Sequence, residues 1–176
     1  VEQMADDGIG ALIVLKGDEA IAVHTHGGIE LDGEVSRPLL MSIFDPDTDG
    51  HDGAVIVDEG RITEFGVHLP LATDGAKLGA GGTRHAAALG MSERSDAFTI
   101  VVSEETGRVS TAREGKLQAV SSREELDGQL TEFFHIQEGG DREPRWKRWM
   151  TRNLGLKGAS VLLAAVLWFV FANPIT

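Results

Sequence analysis

Residues Gly81 to Gly90 read GGTRHAAALG, a flexible start followed by a run of helix-forming residues. The glycines at 81 and 82 allow the backbone to approach a ligand closely, and Thr83 is a natural N-cap. The three alanines and the leucine that follow favour an α-helix. We therefore predict a helix that starts at Thr83 and carries Arg84 and His85 in its first turn.

The start of this helix is a candidate anion-binding site. Its first N–H groups have no intrahelical partner, and the macrodipole places about half a positive charge there. A phosphate group bound at Gly82, Thr83 and His85 could accept these hydrogen bonds, with Arg84 as a bidentate clamp. A capped helix with two solvated basic residues would have the same sequence, so this segment alone leaves both interpretations open.

The segments on either side predict an α/β domain. Apolar and β-branched runs bounded by turn residues indicate strands. We predict strands at Gly10–Lys16, Ala20–Thr25, Ala54–Val57, Arg61–Val67, Ala97–Val102 and Arg108–Ala112. Helical spacing predicts helices at Val35–Phe44 and Ser121–Phe134, in addition to the one at Thr83. Strands interleaved with helices favour a mixed β-sheet flanked by helices.

Composition limits the class of ligand. The chain has 176 residues, no cysteine and a formal net charge of -12. Of its 28 acidic residues, 27 precede residue 142, together with only 10 of its 16 lysines and arginines. Such an acidic domain is a poor general binder of nucleic acid, whose phosphate backbone dominates affinity. A phosphate ligand would have to be held locally.

Two short motifs resemble the catalytic domain of diadenylate cyclases, the DAC domain, which joins two ATP molecules into cyclic di-AMP. They are Asp52-Gly53-Ala54 and Gly82-Thr83-Arg84-His85. They are similar to the family's D-G-A turn and to its G-T-R-H-R-like helix start, in the same order. The resemblance runs from about Gly10 to Leu117. At the family's usual second arginine this chain has Ala86.

The resemblance implies a role for each matching residue. Asp52 would accept the proton of the attacking 3′-hydroxyl, and His51 would be a metal ligand. The other residues implied to contact ATP are Gly53, Ala54, Leu69, Gly82, Thr83, Arg84, His85, Ser103 and Glu104. Other interpretations stay open: Asp52 as a residue that caps a turn, His51 as a surface histidine, and Leu69 as a core leucine.

The resemblance also implies a cofactor and a partner. A carboxylate at Glu104 repels phosphate unless a cation intervenes, which favours Mg²⁺ or Mn²⁺. One such domain holds one ATP, so closing the ring implies a face-to-face homodimer. Two alternatives remain. A non-catalytic nucleotide-binding sensor regulating a membrane partner would explain Ala86, and a metal hydrolase would use His24, His26, His51 and Asp52.

The C-terminal part differs in composition from the rest. The apolar run from Gly155 to Ala172 contains one charge, Lys157, and follows a basic segment that carries Trp146 and Trp149. A buried core helix would explain the apolar run but not its basic flank, so we predict a transmembrane helix at 155–174. We expect the catalytic domain at 1–138, a linker and juxtamembrane segment at 139–154, and a single-pass protein whose N-terminal domain is cytoplasmic. Residues 153–174 also resemble the start of YbbR-like proteins, which suggests such a regulatory region in cis.

Overall fold

The computed structural model describes residues 1–73 and 81–139. These residues contain four α-helices and seven β-strands, along with short 3-10 turns at Ile21–Val23 and Asp49–His51. In chain order the elements are α1 (Glu2–Asp6), β1 (Ala11–Leu15), β2 (His26–Glu34), α2 (Arg37–Ile43), β3 (Ala54–Asp58), β4 (Arg61–His68), α3 (Thr83–Ser92), β5 (Phe98–Val102), β6 (Val109–Arg113), β7 (Lys116–Val120) and α4 (Arg123–Gly139).

The strands form one mixed sheet in the order β2-β4-β3-β1-β5-β6-β7. Among the described strands, β1 and β3 pair in parallel and every other neighbouring pair is antiparallel. The predicted mixed sheet with flanking helices is confirmed. The predicted transmembrane segment lies outside the described residues, and within residues 1–73 and 81–139 no helix has the length and apolarity to cross a membrane.

Side chains alternate between two faces of the sheet, and each face carries its own apolar cluster. On β1, Ala11 and Ile13 belong to one cluster, whereas Leu12 and Val14 belong to the other. The first cluster includes residues of α1, α2 and α4, and the second includes Ala87, Ala88 and Met91 of α3. The domain is therefore a three-layer arrangement in which α3 lies on one face of the sheet.

The sequence misplaced one strand and missed another. Residues 20–25, predicted as a strand, contain the 3-10 turn Ile21–Val23, and the strand β2 begins only at His26. His24 follows the turn and His26 begins the strand, so these two candidate ligands of the metal-hydrolase interpretation do not lie on one strand. The strand β7 was not predicted because its alternation is short and mostly exposed.

The helix at residue 83 forms with one difference at its start. Gly82 is the N-cap, in an extended conformation, and Thr83 is the first helical residue. The carbonyl of Gly82 accepts hydrogen bonds from the N–H groups of His85 and Ala86, each at 3.1 Å. The prediction that Thr83 is the N-cap was therefore wrong by one residue, whereas Arg84 and His85 do lie in the first turn.

Candidate functional site

The starts of β1 and β3 and the ends of β4 and β5 lie together along one edge of the sheet, the edge that crosses the strand termini. Because β1 and β3 are parallel, the residues before them, Gly10 and Asp52, lie at the same edge. The strands β4 and β5 run in the opposite direction, with Val67 paired to Ala54 and Val102 paired to Ala11. The segments that follow β4 and β5 therefore reach this edge as well. Residues that are far apart in the sequence are collected in this way beside the start of α3.

A cavity of about 310 Å³ opens at this edge. It is lined by Leu12, Asp52, Gly53, Val67, His68, Leu69, Leu71, Thr83, Arg84 and Ala87. Five of the predicted site residues are among them: Asp52, Gly53, Leu69, Thr83 and Arg84. Part of the lining is apolar, and the rest includes a carboxylate, a guanidinium and the N-terminus of α3. This combination suits a ligand with a flat apolar part and an anionic part.

The side chain of Arg84 extends from the start of α3 towards the start of β3 and the end of β5. Its Nη1 donates to a carboxylate oxygen of Glu104 at 2.8 Å, and its Nη2 donates to the carbonyl of His51 at 3.4 Å. Its side chain is 27 % exposed, against 58 % for Glu104. The guanidinium is thus already oriented, while N–H donors remain beyond these two bonds.

The turn at Asp52 depends on a glycine. Gly53 has φ +147°, and a Cβ there would lie 2.5 Å from the carbonyl carbon of Gly66 and 2.8 Å from the nitrogen of Val67. Both atoms belong to the backbone of β4, so a side-chain rotation cannot relieve the clash. Any other residue at position 53 would push the turn away from β4. Gly53 therefore fixes where the Asp52 carboxylate enters the cavity wall.

The loop after β4 is held against α3. The N–H of Ala72 donates to the carbonyl of Ala86 at 2.9 Å. A Cβ at Gly90 would lie 2.1 Å from the carbonyl oxygen of Pro70 and 2.5 Å from the nitrogen of Ala72. This close approach, which requires Gly90, keeps Leu69 and Leu71 beside the cavity.

His51 lies next to the cavity without lining it. Its Nδ1 is hydrogen-bonded to the carbonyl of Thr48. A carbonyl can only accept, so Nδ1 carries a proton, and Nε2 of the neutral imidazole would be the atom that can bind a cation. No group of three or more histidine or acidic side chains with metal-binding geometry is found in the described parts of the chain.

The remaining predicted residues surround the cavity. Ala54 is completely buried in the cluster beneath α3, and Gly82 is exposed at the helix start. His85 is half-buried, and desolvation lowers the pKa of its imidazole below the ordinary value. Ser103 lies in the turn after β5, where its Oγ accepts a hydrogen bond from the N–H of Thr106 at 3.3 Å.

Sequence reasoning missed half of the lining: Leu12, Val67, His68, Leu71 and Ala87. Leu12 and Val67 read as ordinary core residues of strands. His68 could have been found, because it ends β4 immediately before Leu69 and therefore reaches the same edge. Its exposed imidazole adds a flat ring to the wall, of the kind on which a nucleobase can stack.

The fold and the cavity define the chain as an α/β domain in which a partly apolar cavity adjoins the start of helix α3. A family model described as "DisA bacterial checkpoint controller nucleotide-binding" (DAC) matches residues 1–117. The chain belongs to this family, and the resemblance carried by Asp52-Gly53-Ala54 and Gly82-Thr83-Arg84-His85 is thereby confirmed.

Similar proteins agree with this membership. The chain is 39 % identical over 146 residues to the cyclic di-AMP synthase CdaA of Bacillus subtilis, which covers 83 % of this chain and 54 % of that protein. A crystal structure of a double mutant of DacA from Staphylococcus aureus superposes with a TM-score of 0.71 at 40 % identity, over 75 % of this chain and 88 % of that one. A hypothetical membrane-spanning protein from Bacillus cereus gives 0.66 at 41 % identity, over 69 % and 59 % of the two chains. The chain spans about half the length of the first curated relatives it matches.

Proposed function

We propose that this chain is a diadenylate cyclase, which condenses two ATP molecules into cyclic di-AMP and two pyrophosphates. One observation carries the proposal: a single cavity brings the carboxylate of Asp52 and the guanidinium of Arg84 to the N-terminus of α3. Relatives of the chain are named as cyclic di-AMP synthase and diadenylate cyclase, which supports the same assignment.

The apolar and the polar parts of the cavity lining suggest how ATP would bind. The adenine would lie against Leu69 and the imidazole ring of His68, and the triphosphate would extend to Thr83 and Arg84. Backbone N–H groups of Thr83 and Arg84 would donate to phosphate oxygens, as helix N-termini do for other anions, since the N–H of His85 already donates to the carbonyl of Gly82. Glu104 would have to yield part of its contact with Arg84 to the incoming phosphate.

The reaction follows from this placement. The 3′-oxygen of one ATP forms a bond to the α-phosphorus of the other, and the bond from that phosphorus to the bridging oxygen of the β-phosphate breaks. The 3′-hydroxyl loses its proton to Asp52, and pyrophosphate leaves with the bond electrons. A second transfer in the opposite sense closes the ring. Most of the rate would come from in-line placement and charge stabilisation.

Ring closure requires a second site. A cavity of about 310 Å³ lies near the lower end of the size range of ligand pockets, so we expect it to hold no more than one nucleotide. We therefore propose that two copies of the chain face each other, at least during the reaction. Confinement of both copies to a membrane would raise their effective concentration without any new contact.

A divalent cation, Mg²⁺ or Mn²⁺, fits the donors at this edge. The Nε2 of His51 is available, and Glu104 lies close to the guanidinium that would clamp the phosphates. A bound cation would offset the charge of the triphosphate and of Glu104. Because the chain has a formal net charge of -12, a bound cation would favour the binding of an anion such as ATP.

The location of the domain is also a proposal. One structurally similar protein, from Bacillus cereus, is described as a hypothetical membrane-spanning protein. The basic residues between Arg142 and Arg152 precede the apolar run at 155–172. This arrangement is typical of a transmembrane helix whose N-terminal end lies on the cytoplasmic side. We propose a cytoplasmic domain at 1–138, a juxtamembrane segment at 139–154 and one span at 155–174, with a YbbR-like region in cis.

A sensor that binds nucleotide without turnover is the second candidate. Its specific support is Ala86, which stands where the family usually has an arginine and whose side chain is only half-buried. Loss of one charged hydrogen bond to phosphate would cost about 1.5 to 3 kcal/mol. That would weaken the site without necessarily abolishing it.

One experiment separates the two candidates. The full 176-residue chain is incubated with ATP and either Mn²⁺ or Mg²⁺, and products are identified by mass. We expect cyclic di-AMP and pyrophosphate, with Asp52→Asn as the matched control. Binding of ATP without product, under both metals, would contradict the enzyme and favour the sensor.

A further inference from the structure

Gly10, the residue before β1, lies directly against the guanidinium of Arg84. A Cβ placed on Gly10 would lie 2.6 Å from Nη1 of Arg84, 2.9 Å from its Cζ and 3.0 Å from Cβ of Glu104. Real Cβ atoms essentially never approach other heavy atoms this closely. Gly10 is buried, so the guanidinium rests on bare backbone at this point.

The absent side chain matters here for space and not for backbone conformation. Gly10 is not among the residues with positive φ, so alanine can adopt its conformation without strain. The two closest atoms are the far end of the flexible Arg84 side chain. An added methyl would therefore move the guanidinium rather than disrupt the sheet.

Movement of the guanidinium would break the pair of contacts that orient it. With Arg84 bonded to Glu104 at 2.8 Å and to the carbonyl of His51 at 3.4 Å, its Nη1 lies only 2.6 Å from the position that the methyl would fill. These contacts place the fork beside the start of α3. A bidentate clamp is sensitive to such a shift because both of its N–H groups must align with the anion.

We infer that Gly10 is a positioning residue for the phosphate site: its lack of a side chain sets where the Arg84 guanidinium lies. The inference rests on the proposed function, in which Arg84 clamps the ATP phosphates. It adds a residue from outside both sequence motifs, which acts only through Arg84. Gly10 itself contacts no ligand.

A double-mutant cycle tests the inference. ATP affinity in the presence of Mg²⁺ is measured for the full chain and for Gly10→Ala, Arg84→Ala and the double variant. We expect Arg84→Ala to weaken binding about 10- to 150-fold. Gly10→Ala should weaken it at least about 10-fold, yet by less than about twofold when Arg84 is already alanine, because coupled residues are not additive.

Thermal unfolding of the same four proteins provides a second readout. If Gly10→Ala lowers the melting temperature, the double variant should recover to the level of Arg84→Ala, since the clashing side chain is gone. Gly128→Ala is the matched control, because a Cβ at Gly128 meets nothing within 4 Å.

Each outcome is decisive. Parent-like ATP binding by Gly10→Ala would overturn the inference, as would an equal loss with and without Arg84. If Arg84→Ala itself binds ATP normally, the phosphate site of the proposed function fails, and the inference fails with it for that separate reason.

Discussion

Nη1 of Arg84 lies 2.8 Å from a carboxylate oxygen of Glu104, across the gap between the start of α3 and the end of β5. In this structure Glu104 holds the guanidinium extended and oriented. In the proposed ATP complex the same carboxylate would be a repulsive neighbour of the phosphate, so we expect binding to be accompanied by movement of Glu104 or by a cation.

Replacement of Arg84 by alanine should weaken ATP binding by roughly 1.5 to 3 kcal/mol, the range for a hydrogen bond to a charged group. Calorimetric titration of the full chain measures the change. Arg84→Lys is the control: it keeps the charge but loses the planar fork, so its affinity should fall between those of the parent and the alanine variant. Equal affinity of all three proteins would mean that the helix start is not a phosphate site.

Replacement of Asp52 by asparagine should abolish turnover while leaving ATP binding largely intact. The carboxylate is proposed to accept a proton only during the reaction, and asparagine keeps its size. Formation of cyclic di-AMP should decrease by about two orders of magnitude or more, the usual scale for a lost general base. Product formation at the parent rate would assign Asp52 to the turn alone.

Gly90→Ala should displace the loop that carries Leu69 and Leu71. The clash is with backbone atoms of Pro70 and Ala72, so we expect a loss of stability of about 1 to 3 kcal/mol, the usual cost of overpacking. Weaker ATP binding should accompany it, because the apolar wall moves. Gly128→Ala lies on a helix with open space and should be neutral or slightly stabilising. Unchanged unfolding of Gly90→Ala would show that the loop moves aside without cost.

Burial of His85 predicts a pH dependence of stability. Desolvation lowers the pKa of its imidazole in the folded state, so the unfolded chain binds the proton more readily. The free energy of unfolding therefore has its full His85 contribution above the pKa of the unfolded chain, about 6.5. This contribution is lost as the pH falls from there through the lower pKa of the folded state. Asp32, whose pKa is lowered by its hydrogen bond to Arg61, adds its own loss only at more acidic pH.

Thermal unfolding of the parent and of His85→Gln at a series of pH values checks this prediction. The melting temperature of the glutamine variant should decline less steeply just below pH 6.5, because glutamine at position 85 takes up no proton in this range. Parallel curves for the two proteins would contradict the assignment to His85.

The basic segment before the apolar run predicts the topology of the C-terminal part. A periplasmic reporter enzyme fused after Thr176 should be active, since the residues between Arg142 and Arg152 favour the cytoplasmic side. The same reporter fused before Val1 should be inactive. Activity of the N-terminal fusion alone, or recovery of the whole chain without detergent, would refute the single-span orientation.

Much of the central sheet could be predicted because its strands are buried on both faces. In β1 and β5 every residue except the partly buried Leu15 is buried, so their sequences are continuous runs of apolar or β-branched residues with clear ends. The edge strand β2 gives no such signal. Its residues are mostly exposed, it begins with His26 and two glycines, and it is defined by antiparallel pairing with β4. Pairing between distant segments is not encoded in the local pattern.

The candidate site was predictable where it coincides with the two motifs, and not where it depends on neighbours in space. Asp52, Thr83 and Arg84 line the cavity as expected. Gly10 and Gly90 are isolated glycines whose importance comes from Arg84 and from the loop at Pro70, both distant in sequence. Only the packing shows which glycine lacks room for a methyl group.

The meeting of four strand ends has a consequence for folding. The residues that line the cavity are spread from residue 12 to residue 87, so no short contiguous fragment contains the complete cavity. A nucleotide that binds there would recognise only chains whose central sheet has fully assembled, and at 100 times its Kd it would stabilise them by about 2.7 kcal/mol. ATP would then act as a folding ligand, and any substitution that loosens the sheet would lower the apparent affinity without touching the cavity.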